Sequence, residues 1–574
     1  MENLLQESQQ ILASEKIVKN DESFEEFIDW QAYDLHTQYD LIRKEIDKNW
    51  TSPTAPIFNL MKHKFRLEHE LGKYEESALS MLQSQGLSFR HQALNQYSKR
   101  LLNDEDNELE LMHRSLLEFQ SLSKSNTKVK EIIKEFPSDW RIVQLSVNDI
   151  YSDSRFKKTS ADKAVSKNLA LKLVSIECGE DHDDYISVYD IPNVSNEDKM
   201  PSIQEELQDI LRVHLLMYKT DKDKTKYKKI REEVDTRIES LIRSMENKWL
   251  GFFKVLFLGK SEQDELIHEI ANEAHKKFFK NSNDFVISGK KKLLFKTLDG
   301  HEFLSEDQLF KSMHYLSQDK HFHDFLKGSL SKIPPNRKRK PTVLILDKEI
   351  QALPWESMAF LKCHPFSRVP SIHTLALLFK THLVKDSSVP QNGKIRQDKV
   401  FYVLNPDQNL AKTQARLEPT FKTSLGSGVI GEQPSLPQMK KVLSEMDAYM
   451  YCGHGFSLKN LSQQEIEKLN IRALPLLFGC NSGKLERIGR LMDPVGIVNY
   501  YLIATAPCLL GFLWSVTDRD VDQWTAEFLQ HWLNHEQGQP EFVQAVSDKK
   551  ADFERMINKA AVVIYGLPSI KYLH

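Results

Sequence analysis

A chain of 574 residues is longer than one hydrophobic core organises, so two to four domains are expected. With 40% apolar and 28% charged residues it reads as a globular protein and not a disordered one. The formal net charge of −3 gives no global attraction to nucleic acid or to an anionic membrane, and no apolar run approaches the ~20 residues that span a bilayer.

Residues 1–135 are poor in Gly and Pro and carry apolar residues at three- and four-residue spacing. "YDLIRKEIDKNW" (39–50) and "LELMHRSLLEFQSL" (109–122) are expected as amphipathic helices of a helical domain. The opening "MENLLQESQQ" lacks the charged-then-apolar pattern of a signal peptide. At Pro137 the pattern changes, and "WRIVQLSV" and "LALKLVSIEC" (169–178) read as strands. A helical stretch is expected over 203–250, with "KTDKDKTKYKKIREE" (219–233) as a solvated connector or helix face. The segment 136–331 is therefore α/β with a helical insertion.

"KIPPNRKRKP" (332–341) reads as a linker, and its basic run is also a candidate nuclear-import signal. Beyond it, "PTVLILD" (341–347), "VFYVLNP" (400–406), "AYMYCG" (448–453), "LPLLFGC" (474–480), "APCLLGFLWSVTD" (506–518) and "KAAVVIYGLP" (559–568) are short apolar runs ended by turn residues. Such runs are typical of strands buried on both faces, as in a parallel sheet. A three-layer α/β domain over 332–574 is expected, with functional side chains at the carboxyl edge of its sheet.

Two of these runs stop at a reactive side chain beside glycine, His454 in "MYCGHGFS" and Cys480 in "LPLLFGCNS". An imidazole beside a thiol can take its proton or stabilise the thiolate, which is what a cysteine nucleophile needs. A buried Cys is more often a small hydrophobe, and a His among glycines is often a turn residue. The two loops alone leave both readings open. The other thiols, Cys178, Cys363, Cys452 and Cys508, read as structural, Cys452 lying within an expected strand and Cys508 in an apolar run, and five widely spaced cysteines without a CxxC pair suggest neither a disulfide framework nor a zinc site. Free thiols fit a reducing, cytosolic or nuclear compartment.

The blocks "ALPWESMAFLKCHPFSRVPSIHTL" (352–375), "YVLNPDQNLAKT", "GVIGEQP", "AYMYCGHG", "LPLLFGCNSGKL" and "MDPVGIVNYYLIATAPCLLGFLWSVTDRDVDQW" together resemble the protease domain of the separases, caspase-fold cysteine endopeptidases. The resemblance runs continuously over about 341–568. It implies His454 as general base, Cys480 as nucleophile, and the backbone N–H groups of Gly455 and Cys480 as the oxyanion hole. It also implies cleavage after Arg in Glu-x-x-Arg sites of the cohesin kleisin, with no cofactor. Of the acids Asp493, Asp518, Asp520 and Asp522, Asp522 matches the family's Arg-binding position best and Asp493 is second. The family's partners would then be a securin-type inhibitor acting as pseudosubstrate and the kleisin substrate, in cytoplasm and nucleus, on chromosomes and spindle in mitosis, with no membrane and no direct nucleic-acid binding.

The fold implied is α/β: a C-terminal caspase-like protease domain (332–574), an inactive caspase-like domain (136–331) and an N-terminal helical domain (1–135). The chain is short for the family, so a compact form is expected, or a separate helical scaffold subunit in place of the family's long superhelix. Three positions depart from the family pattern: Ser515 stands for Asp, Asn481 for a small Ser, and "FSLKNL" follows "GHG". Other caspase-fold peptidases, such as bacterial ones fused to helical repeats, would share the dyad but not the Trp514–Asp522 block. A catalytically dead scaffold would have lost the His, the Cys or the acid. No Glu stands three residues before any Arg in the chain, and only Asp40–Arg43, Asp209–Arg212 and Asp552–Arg555 come near a self-cleavage site. All three are expected to be helical.

Overall fold

The computed structural model describes residues 33–569, apart from 51–54, 103, 148–169, 180–184, 193–201, 218–223, 280–284, 386–387, 456–458, 460, 489–491 and 534–538. The N-terminal decapeptide, the start of the 219–233 run and most of the loop after "GHG" lie outside the described residues. Eleven strands form one sheet: β1 Arg141–Val147, β2 Leu171–Glu177, β3 Ile186–Ile191, β4 Thr342–Leu346, β5 Phe366–Arg368, β6 Val400–Leu404, β7 Ser427–Ile430, β8 Ala448–Cys452, β9 Leu474–Leu477, β10 Cys508–Phe512 and β11 Val562–Gly566. Their spatial order is β3-β2-β1-β4-β5-β11-β10-β9-β8-β6-β7.

Most of these strands are rich in β-branched and aromatic residues. β4, β6, β8, β9, β10 and β11 are buried along their whole length, as strands covered on both faces must be. Pairing divides the sheet into two parallel blocks. β1, β4, β5 and β11 run one way, and β10, β9, β8, β6 and β7 run the other. The blocks meet where β10 and β11 pair antiparallel, with Leu510 opposite Ile564. β2 and β3 extend the first block as antiparallel hairpin partners. The sheet thus has no break at residue 332, because β1 pairs directly with β4, Val143 opposite Leu344.

The helical segment comprises, among the described residues, Leu35–Asn49, Ala55–Glu70, Tyr74–Ser84, Leu87–Leu101, Glu108–Leu117 and Leu122–Glu135. The helix expected over 109–122 stops at Leu117. Extended backbone at Glu118 and Ser121 brackets Phe119, which is buried against Trp50 at 5.6 Å and lies under the Arg90 guanidinium at 4.1 Å. Burying that ring outweighs one further helical turn. The helices dock on the α/β body through Gln144 Nε2 to the Met81 carbonyl (2.6 Å), Tyr97 Oη to the Ile503 carbonyl (2.5 Å) and Lys62 Nζ to Asp347 (2.6 Å).

The 332–341 segment corrects the sequence reading. Arg337 and Arg339 are 3% and 5% exposed and reach Asp299, itself fully buried, at 3.2 and 2.7 Å. Glu262 N donates to the Lys338 carbonyl and Lys340 N to the Lys260 carbonyl. Nuclear-import recognition needs accessible cations, and a buried carboxylate needs paired ones. The second requirement claims these two arginines. Likewise Asp40–Arg43 and Asp209–Arg212 are helical, but Phe553–Arg555 is a non-helical link whose Arg555 is held by Asp235 at 2.5 Å.

Candidate active site

β8 and β9 are parallel neighbours with Tyr451 opposite Leu477, and Phe478 N continues the ladder to the Tyr451 carbonyl at 2.8 Å. Three residues on from the Tyr451–Leu477 pair, the two chains have left the sheet for the loops that carry His454 and Cys480. The two loops touch through their backbones. A Cβ on Gly479 would lie 1.6 Å from the Gly455 carbonyl oxygen, so only glycine fits there. Gly455 itself has φ of +69°, a left-handed conformation that side chains resist. Tyr451, buried in β8, donates from Oη to the His454 carbonyl at 2.7 Å and fixes the turn that presents the imidazole. His454 is exposed and Cys480 half-buried.

The cysteine turn is braced on the segment that follows β10. Asn481 N donates to the Trp514 carbonyl (3.3 Å), its Nδ2 to Ser515 Oγ (3.4 Å), and Ser482 Oγ donates to the Leu477 carbonyl (2.7 Å) while accepting from Phe512 N (3.0 Å). Asn481 has φ of +60°. Asparagine tolerates that region better than serine, which gives a physical reason for this departure from the family pattern. Burial pushes the Cys480 thiol up, the Val516 N–H 3.4 Å from Sγ pulls it back in part, and the charge of Asp518 pushes it up again. The resting group is therefore a thiol that needs a base.

Two contributors escaped the sequence reading. Asp407 follows β6, the neighbour of β8 on the other side. It accepts from Lys459 (2.7 Å) and Gln433 (3.0 Å), and Lys459 above all, with His454 adding to it, holds its carboxyl below the usual range. Its place at a strand end was the available signal. His214, from the helix Ile203–Met217, bonds the Ser515 carbonyl through Nε2 at 2.8 Å and so pins the strand-end segment beside Cys480. No sequence pattern links residues 301 positions apart.

The four acids separate clearly. Asp518 opens the helix Asp518–Leu533. Asp520 accepts from Glu554 N, Arg555 N and Asn558 Nδ2, a structural role. Asp522, one turn beyond Asp518 on the same helix face, has a 5% exposed side chain that pairs with Arg416. Asp493 accepts from Ser88 N (2.7 Å) and Phe89 N (3.4 Å) at the start of the helix Leu87–Leu101. That helix has Gly86 at its N-cap with no side chain to offer, so Asp493 supplies the cap from 400 residues away. Among the described residues no cluster of three or more His, Cys, Asp and Glu could hold a metal ion, and no helix is long and apolar enough to cross a membrane.

A family model described as "Separin, protease domain" matches residues 291–521. Separin of Mus musculus is 35% identical over 340 residues, 58% of this chain and 16% of that protein. Separin of Schizosaccharomyces pombe is 29% identical over 479 residues, 76% of this chain and 25% of that protein. This chain thus spans a quarter or less of these two relatives. A solved structure of the Saccharomyces cerevisiae separase-securin complex matches in fold with a TM-score of 0.66 at 20% identity, covering 94% of this chain and 38% of that one.

Proposed function

Because the chain carries a protease domain of the separin family, we propose that it is a cysteine endopeptidase that cuts after Arg in Glu-x-x-Arg sites of the cohesin kleisin, releasing sister chromatids at anaphase. The observation that supports this reading is that His454 and Cys480 lie in the loops at the carboxyl ends of two adjacent parallel strands, loops that touch at Gly455 and Gly479. His454 takes the thiol proton as Sγ attacks the carbonyl carbon after the P1 Arg. The oxyanion is met by the N–H groups of Gly455 and Cys480, donors of a kind worth about 3 kcal/mol each in the transition state. The imidazolium then protonates the departing amine. A water molecule, deprotonated by the same imidazole, hydrolyses the thioester and regenerates the thiol.

Asp522 receives the P1 guanidinium, its carboxylate being a buried acid on the helix Asp518–Leu533 that already binds one guanidinium, that of Arg416. Asp493 is not carried into the pocket, since its oxygens serve the N-terminus of the helix Leu87–Leu101. A securin-type inhibitor would hold the same cleft as a pseudosubstrate, and helical scaffold absent from these 574 residues would come from a separate subunit or further chain. The setting would be cytoplasm and nucleus. Incubating the purified chain with a Glu-x-x-Arg peptide, wild type beside Cys480→Ser, tests the reading: cleavage after Arg by the first alone supports it, and equal cleavage or none rejects it.

A further inference from the structure

The acid assigned to the Arg pocket already holds a guanidinium. Arg416, on the helix Ala411–Ser424, places Nε 2.8 Å and Nη2 2.5 Å from Asp522 Oδ2. Both nitrogens converge on one oxygen, so the resident arginine does not use the carboxylate's full fork. The partners differ in freedom: the Asp522 side chain is 5% exposed, whereas Arg416 is 36% exposed. Burial raises the Asp522 carboxyl above its usual range and Arg416 pulls it part of the way back, so the pair keeps a buried acid charged while no substrate is bound. The groups that bear on Asp522 besides Arg416 include Thr413, one turn before Arg416, Asp518, one turn before Asp522, and the buried Cys452 thiol, and none of these is a cation.

We propose that Arg416 is a resident stand-in for the substrate's P1 arginine, which an incoming guanidinium must displace toward solvent. This inference rests on Asp522 being the P1 acid. A second guanidinium added beside Arg416 would put two like charges on one buried carboxylate, and the half-open side chain can leave while the buried one cannot. Binding of P1 Arg is then an exchange of one ion pair for another. The exchange weakens ground-state affinity for every arginine peptide. It also denies neutral side chains any gain, because Asp522 remains satisfied by Arg416 in their presence. Arg416 therefore sets KM and leaves the chemical step alone.

The test compares wild type with Arg416→Gln, Arg416→Lys and Asp522→Asn on a Glu-x-x-Arg peptide, with agmatine, a free guanidinium on an aliphatic stem, as competitive inhibitor. In Arg416→Gln, KM and the agmatine inhibition constant should each fall at least fivefold, with kcat within twofold of wild type. Arg416→Lys keeps a charge but offers one prong, so its fall should be intermediate, and it serves where the Gln variant does not fold. An unchanged or raised KM in both variants, with Asp522→Asn inactive, overturns the stand-in while leaving Asp522 as the pocket acid. Full activity of Asp522→Asn overturns both.

Discussion

The two parallel blocks of the sheet end in opposite ways. At the carboxyl end of β4 stands Asp347, fully buried and accepting from Lys62 Nζ (2.6 Å), Val147 N (3.1 Å) and Glu349 N (3.2 Å). At the carboxyl ends of β8 and β9 stand His454 and Cys480, one exposed and one half-buried. The first block spends its strand-end polar group on holding the helical segment, and its site is closed. The second leaves its strand-end groups to meet a substrate. The same architecture thus yields a clamp in one half and, in the other, the open edge proposed as the reaction site, and the difference lies in whether a neighbouring segment covers the edge.

The sharpest way to break this contrast is to remove the open end's chemistry. Cys480→Ala should lower cleavage by at least ~10⁴-fold and His454→Ala nearly as much, because groups acting as a unit are not additive. Thermal unfolding should stay within about 2 °C of wild type for both, given their exposure. An arginyl acyloxymethyl ketone should leave one adduct, on Cys480, and mass spectrometry that finds it on another cysteine refutes the assignment.

The closed end should behave in the reverse manner. Lys62→Met leaves Asp347 buried without its ammonium and should cost about 3–5 kcal/mol in denaturant unfolding, with turnover unaltered while the chain is folded. Burial alone would raise the Asp347 carboxyl, but Lys62 and the two amides outweigh it and hold it below the usual range. A depressed folded-state value gives stability that is full above the unfolded value near 4 and is lost as pH falls through the folded one. The gap between wild type and Asp347→Asn should therefore be present at pH 7 and close in acid below about pH 4. A gap that persists at pH 2 contradicts the clamp.

Smaller effects sharpen the open end. Asp522→Asn should lower kcat/KM on arginine peptides by at least ~100-fold, the scale of a lost buried charge partner. Unchanged kinetics would move the pocket elsewhere. Asp518→Asn removes a charge that pushes the Cys480 thiol up, so the pH profile of iodoacetamide labelling should shift to lower pH, with roughly twofold faster labelling at neutral pH. A shift to higher pH would reverse the sign of that interaction.

Much of the reactive block could be read from the chain alone, because each strand is a short apolar run and glycines mark the two loops that approach closely. Strand β5 escaped because it has three residues, and β7 because it is an edge strand, partly exposed, with sequence "SGVI". The antiparallel seam escaped because apolar runs carry no sign of direction. The surroundings of the acids were the harder part to read. Asp493 and Asp522 sit in similar sequence surroundings, and only tertiary contact gives one to a helix start and the other to Arg416. The basic run at 337–340 was misread for the same reason, since Asp299 lies some 40 residues away.

The place of β11 also carries a consequence for the order of events in synthesis. Residues 562–566 lie in the middle of the sheet, between β5 and β10, and among the described strands they make the ladder that joins the two blocks. On a ribosome, every strand of the β10–β7 block emerges before the strand that joins it to the block bearing the helical segment. The protease half should therefore wait, unseamed and protease-sensitive, until residue 566 has cleared the exit tunnel. Nascent chains stalled before and after that point, probed by limited proteolysis, should change from cut to resistant there, and resistance acquired before β11 emerges would show that the reactive block closes by itself.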